Sequence, residues 1–171
     1  MDTTTKLMKL KENQKTVKIM IIGLGSVGQY LLDYLCSMSN EKIEIIVAGR
    51  NKEKMQQDVN IVRVAAAIRG KLRTHIKIVG NCDLDNIESI KRCLQENHPD
   101  IIVNTSRVYA GLKYGSISWK NFRAYGIWTP LSIKYIKNIM EAVETEAESA
   151  IVINTSYSDA VIPWLKSAGK A

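Results

Sequence analysis

The six residues Gly23-Leu24-Gly25-Ser26-Val27-Gly28 follow directly on the apolar, β-branched run Val17–Ile22. They lead into Val27, Leu31, Tyr34, Leu35 and Met38, which recur at helical spacing. A strand that reaches a helix through three glycines in the GxGxxG pattern leaves few folds open. Gly23 permits the tight turn, Gly25 lets a pyrophosphate approach the backbone, and Gly28 lets the helix pack close to the sheet. The backbone N–H groups near Ser26 and Val27 would meet the phosphates, aided by the positive end of the helix dipole. The bare pattern is weak evidence, and a glycine-rich turn that binds nothing is the alternative. In this strand-to-helix setting it predicts dinucleotide binding.

The rest of the chain alternates in the same way. Ile43–Ala48 reads as a second buried strand, and Met55, Val59, Val62, Ala66 and Ile68 continue with helical period to a stop at Gly70. His75–Val79 is a third strand. Asp85, with Glu88 three residues on, reads as the N-cap of a helix carrying Ile87, Ile90 and Leu94 and ending before Pro99. Residues 100–103 and 151–153 are strands four and five. Between them, Thr129-Pro130 reads as the cap and first-turn proline of a helix with Ile133, Ile136, Met140 and Val143 inside. Residues 105–128, rich in glycine and aromatics, show no clear period.

Apolar strands separated by amphipathic helices imply an α/β, doubly wound parallel sheet with helices on both faces. The expected order is 3-2-1-4-5, with the ligand crevice where strands one and four diverge. One dinucleotide-binding domain over residues 15–171, preceded by a flexible extension over residues 1–14, accounts for the 171 residues.

Charge and cysteine content narrow the partners. Between Arg50 and Lys77 eight basic residues face only Glu53 and Asp58, within a net charge of +7. Such a sector draws an anionic partner, for which a phosphorylated cofactor is expected ahead of nucleic acid. Cys36, Cys82 and Cys93 are odd in number and, with His75 and His98, form no metal-ligand pattern, so reduced structural cysteines are expected and no metal. No apolar run approaches the ~18–20 residues of a membrane span, and the polar, Lys-rich start has no secretory signal. A cytoplasmic location is the expectation.

The cofactor choice rests on the end of strand two. NAD-binding sites usually carry an acid there, about 20 residues past the glycines, to hold the ribose 2′-hydroxyl. This chain has Gly49-Arg50-Asn51. A guanidinium suits a 2′-phosphate and an acid repels it, so NADP is expected, with NAD as the alternative. Asp83, past strand three, is placed either to reach the adenine edge or to form the turn that leads into the cap of the next helix. Asn104, Thr105 and Ser106 after strand four, and Asn154 after strand five, open at the same edge of the sheet. Tyr157 and Asp159 lie on the nicotinamide side or serve in packing. Tyr109 and Lys113 show the YxxxK spacing of short-chain dehydrogenases, but so soon after strand four that a catalytic role is set aside. Trp119, Phe122, Tyr125 and Trp128 are expected to cover the crevice or pack beneath it.

Ile21-Ile22-Gly23-Leu24-Gly25-Ser26-Val27-Gly28, Ala48-Gly49-Arg50-Asn51, Cys82-Asp83-Leu84-Asp85 and Pro99-Asp100-Ile101-Ile102-Val103-Asn104 together resemble the N-terminal NADP-binding domain of the saccharopine dehydrogenase-like family. The resemblance implies that these stretches cradle the pyrophosphate, select the 2′-phosphate, approach the adenine and lead toward the nicotinamide. It also implies an oxidoreductase that moves a hydride at a C–N bond of an amino-acid-like substrate, with the substrate carried by a further C-terminal domain. No catalytic residue is carried over. The competing reading is a free-standing regulatory module that senses the dinucleotide without catalysis. A homo-oligomer is compatible with either.

Overall fold

The computed structural model describes residues 2–12, 16–71, 73–108, 128–155 and 161–170. Its elements run α1 (Thr3–Glu12), β1 (Val17–Ile22), α2 (Ser26–Ser37), β2 (Ile43–Ala48), α3 (Lys52–Ile68), β3 (His75–Val79), α4 (Ile87–Asn97), β4 (Ile101–Asn104), α5 (Trp128–Glu146), β5 (Ile151–Asn154) and α6 (Val161–Ser167). The five strands form one parallel sheet of order β3-β2-β1-β4-β5, the expected doubly wound arrangement.

The sheet separates two apolar layers because successive side chains of each strand point to opposite faces. Met20, Ile22, Ile46 and Ile102 pack with α4, α5 and α6 through Ile90, Leu94, Ile136, Ile139 and Leu165. Ile21, Ile45, Val47 and Ile76 pack with α2 and α3 through Leu32, Leu35, Val59 and Val62. Full burial on both faces holds for the carboxyl-terminal parts of the inner strands, while their first residues are half-buried. At the edges it fails: His75 and Lys77 of β3 are exposed, as is Ile153 of β5, because an edge strand is only partly covered.

The N-terminal extension contains α1, and Lys6 Nζ ties that helix to the β5 edge by donating to the carbonyls of Glu148 (2.5 Å) and Ala150 (2.9 Å). Two local readings are corrected. The N-cap of α4 is Asn86, whose Oδ1 accepts from the N–H groups of Glu88 (3.0 Å) and Ser89 (3.3 Å). A capping asparagine one residue later moves the helix start, and Asp85 pairs instead with Lys134 at 2.5 Å. Helix α5 opens at Trp128, which puts Thr129 within its first turn rather than at its cap.

Candidate functional site

The carboxyl ends of β1 to β4 frame a cleft of about 420 Å³. Strand β1 supplies Ile22 and the turn Gly23-Leu24-Gly25, β2 supplies Gly49, Arg50 and Asn51, and the β3 end supplies Cys82 and Leu84. Beyond β4, Thr105, Ser106, Arg107 and Val108 close the wall. Helix α3 adds Lys54, Met55 and Asp58, and α5 adds Tyr135.

The glycines of the turn differ in their reason for being glycine. Gly23 has φ +86°, and a Cβ there would stand 2.9 Å from Ser106 Cα. A Cβ on Gly28 would lie 2.5 Å from the Gly23 carbonyl oxygen and 2.7 Å from Thr105 Oγ1, so the helix start is clamped against the turn and against β4. Gly25 differs from both. It is the N-cap of α2 with φ −84° and ψ −168°, open to any residue, and a Cβ there would meet nothing within 4 Å among the described residues. Packing among the described residues does not require this glycine; a backbone that must be approached closely from the cleft does. No side chain caps α2, whose first residues are Ser26, Val27 and Gly28. A turn with room above it and an uncapped helix start fits a pyrophosphate.

The residues after β4 form a buried polar joint. Asn104 is fully buried, and its Nδ2 donates to Asn154 Oδ1 at 2.8 Å. Its Oδ1 accepts from Ser106 N (3.1 Å) and Ser106 Oγ (2.5 Å). The Thr105 hydroxyl donates to the Gly23 carbonyl, with the Ile22 carbonyl 3.3 Å away. Thr155 Oγ1 donates to the Asn104 carbonyl at 2.9 Å. Asn104 and Asn154 are register partners at the ends of β4 and β5, so two similar sequence strings meet side by side.

Arg50 is exposed on the cleft rim, and Asn51 Oδ1 caps α3 by accepting from Lys54 N at 2.9 Å. Asp83 stays outside the lining. Its Oδ1 accepts from the Asp85 N–H at 3.1 Å, which makes it part of the turn before α4. Tyr109, Lys113, Trp119, Phe122, Tyr125, Tyr157 and Asp159 lie outside the described residues, as does the side chain of Trp128.

Among the lining residues not named for the site from the sequence are Lys54, Met55, Asp58, Leu84, Arg107, Val108 and Tyr135. Helical spacing from the Asn51 cap, at positions 54, 55 and 58, could have found the first three. Asp58 Oδ2 is buried without a hydrogen-bond partner among the described residues. Tyr135 reaches the cleft only because α5 packs beside α4. Its phenol is pushed up by burial and by the nearby Asp85 carboxylate. The Asp85 carboxyl is held below its ordinary value, first by its hydrogen bond from Lys134. The Cys82 thiol, hydrogen-bonded to Cys93 and buried, is pushed far above the usual thiol range, so this wall is neutral.

A parallel sheet of this order, with a glycine turn at the strand-order switch, is the framework of a Rossmann-type nucleotide-binding domain. The family model for the saccharopine dehydrogenase NADP binding domain matches residues 19–114, more than half of the chain, and the chain belongs to that family. No curated protein matches it. Among solved structures it is similar to lactate dehydrogenase from Cryptosporidium parvum complexed with lactic acid and nicotinamide adenine dinucleotide. That match has 14% identity and a TM-score of 0.58, over 91% of this chain and 42% of the other. Lactate dehydrogenase from Eimeria maxima with NADH and oxamate gives 17%, 0.57, 93% and 41%. A short-chain dehydrogenase from Oenococcus oeni PSU-1 gives 16%, 0.56, 92% and 74%. At these identities the likeness is one of fold, and the chain spans about two fifths of either lactate dehydrogenase. Among the described residues no helix is long and apolar enough to cross a membrane.

Proposed function

We propose that the chain is the NADP-binding part of an oxidoreductase that transfers a hydride to or from an amino-acid-like substrate. The observation that carries this reading is Gly25: a glycine that packing among the described residues does not need, at an uncapped helix start, on the floor of a cleft with Arg50 at its rim. Family membership supports the choice of NADP, and the oxidoreductases that share the fold support the reaction class. When bound, the nicotinamide cofactor supplies the hydride chemistry. Gly23, Gly25 and the first N–H groups of α2 would hold its pyrophosphate, and Arg50 with Lys54 would bind the 2′-phosphate. Cys82, Leu84 and Tyr135 would enclose the adenine end. The substrate would be held by a domain outside this chain, and a cytoplasmic location fits the reading.

Titration calorimetry with NADPH and NADH tests it directly. The expected result is binding of both, with NADPH tighter. Failure of NADPH to bind would overturn the cofactor assignment.

A further inference from the structure

With one exception, the described aspartates are used within the fold. Asp2 accepts from Thr5 N, Asp33 pairs with Arg69, Asp83 accepts from Asp85 N, Asp85 pairs with Lys134, and Asp100 accepts from Lys18 N. The exception is Asp58, whose carboxylate has no partner among the described residues and whose Oδ2 is buried. It is also the one acid among the described residues that lines the cleft. A buried carboxylate oxygen without a donor costs stability, so an acid kept in that position points to a donor that arrives with a ligand.

The position of Asp58 narrows what that donor is. It lies on the second turn of α3, one turn past Lys54, and the two share a flank of the helix with the Asn51 cap. A rise of 1.5 Å per residue sets it about 6 Å further along the helix axis than Lys54. The same lining holds Gly25 of the β1 turn and Arg50 at the end of β2. Dinucleotide sites commonly carry an acid at the end of strand two. Here Arg50 follows that strand, and α3 brings an acid to the cleft instead.

We propose that Asp58 accepts a hydrogen bond from the 3′-hydroxyl of the adenosine ribose, holding the sugar between the glycine turn and the cations Arg50 and Lys54. This rests on the dinucleotide reading given above. An ionised carboxylate only accepts hydrogen bonds, so it selects the parts of the ligand that can donate. The pyrophosphate has no proton to give at neutral pH, and a 2′-phosphate is drawn to Arg50 and Lys54. In NADP the 2′-oxygen carries that phosphate, which leaves the 3′-hydroxyl as the donor of this sugar. The two groups sit on adjacent ring carbons, as the cations and the acid sit on adjacent turns of one helix wall. Arg50 then distinguishes NADP from NAD, while Asp58 grips the sugar that both contain.

Calorimetric titration of NADPH into the full chain and its Asp58→Ala variant decides the assignment by sign. Loss of a charge-assisted hydrogen bond should weaken NADPH about tenfold or more. An acid that touches no hydroxyl would only repel the phosphates, so its removal would tighten binding. Tighter or unchanged binding by the variant would overturn the proposal. The same fold-loss is expected in the Lys54→Ala background. A loss that vanishes there would mean that Asp58 acts by holding Lys54, which also overturns the proposal. Urea denaturation without dinucleotide should find Asp58→Ala no less stable than the parent, because no donor within the protein is abandoned; marked destabilisation would give Asp58 a structural partner and refute the assignment. A parent that binds no NADPH would instead remove the cofactor reading itself.

Discussion

Thr105 and Gly28 close against each other at the mouth of the cleft: a methyl group on Gly28 would lie 2.7 Å from Thr105 Oγ1. The contact joins the start of α2 to the residue after β4, across the point where the strand order reverses. It also separates two roles that the glycine pattern alone merges, and the first two predictions divide along it.

Gly28→Ala is a packing lesion. The added methyl meets the Gly23 carbonyl as well as Thr105, and neither is the free end of a flexible chain. Overpacking of this kind costs about 1–3 kcal/mol. Urea denaturation should show that loss without any dinucleotide present, and a variant as stable as the parent would refute the clamp.

Gly25→Ala should behave in the opposite way. Its methyl enters open space, so stability should fall by no more than about 1 kcal/mol, the cost of a poorer N-cap. Dinucleotide affinity should fall sharply, because the methyl stands where a pyrophosphate would approach the backbone. Calorimetric titration of the folded variant decides it; undiminished NADPH binding would remove the phosphate cradle.

Arg50 is the test of cofactor choice. A charge-assisted contact contributes ~1.5–3 kcal/mol, or roughly 10–150-fold in affinity. Arg50→Ala should weaken NADPH by about that factor and leave NADH nearly unchanged, and Arg50→Asp should shift the preference toward NADH. Lys54→Ala, from the same wall, should give a smaller loss for NADPH. Equal losses for both cofactors would make Arg50 a support for the loop.

The Asn104 joint predicts a stability effect that is read without any ligand. Asn104→Ala removes the partner of Asn154 Oδ1 and of both Ser106 donors in a buried setting. The expected cost is about 1–3 kcal/mol, read from denaturant midpoints. A change within experimental error would show that the joint is dispensable.

Asp85 gives a pH signature. Its folded carboxyl is held below the ordinary value by the Lys134 hydrogen bond. The stability it contributes is present above the unfolded aspartate value of ~3.9 and is lost as pH falls through the lower folded value. Because both side chains are substantially exposed, the effect is small. Lys134→Met should flatten the acid limb of the stability profile, and an unchanged limb would remove the pair from the account.

Element order, parallel pairing and the turn at Gly23 were legible in the sequence because each rests on local physics: apolar runs of strand length, helical periodicity between them, and a glycine turn joining the two. Local signals were less exact where neighbouring residues compete for one role. Asp85 and Asn86 both suit an N-cap, and only the packing of α4 beside α5 gave Asp85 to Lys134. The convergence of Asn104 on Asn154, of Thr105 on Gly23, and of Tyr135 on the cleft depended on tertiary structure. Asn104 and Asn154 are 50 positions apart and Thr105 and Gly23 are 82 apart, and such residues meet only through strand register and helix packing. The sequence by itself determined that a phosphate-sized turn stands at the switch of a doubly wound sheet. Only the tertiary structure decided which polar groups face the cleft and which are consumed in holding it together, because burial and hydrogen bonding are properties of the packed chain.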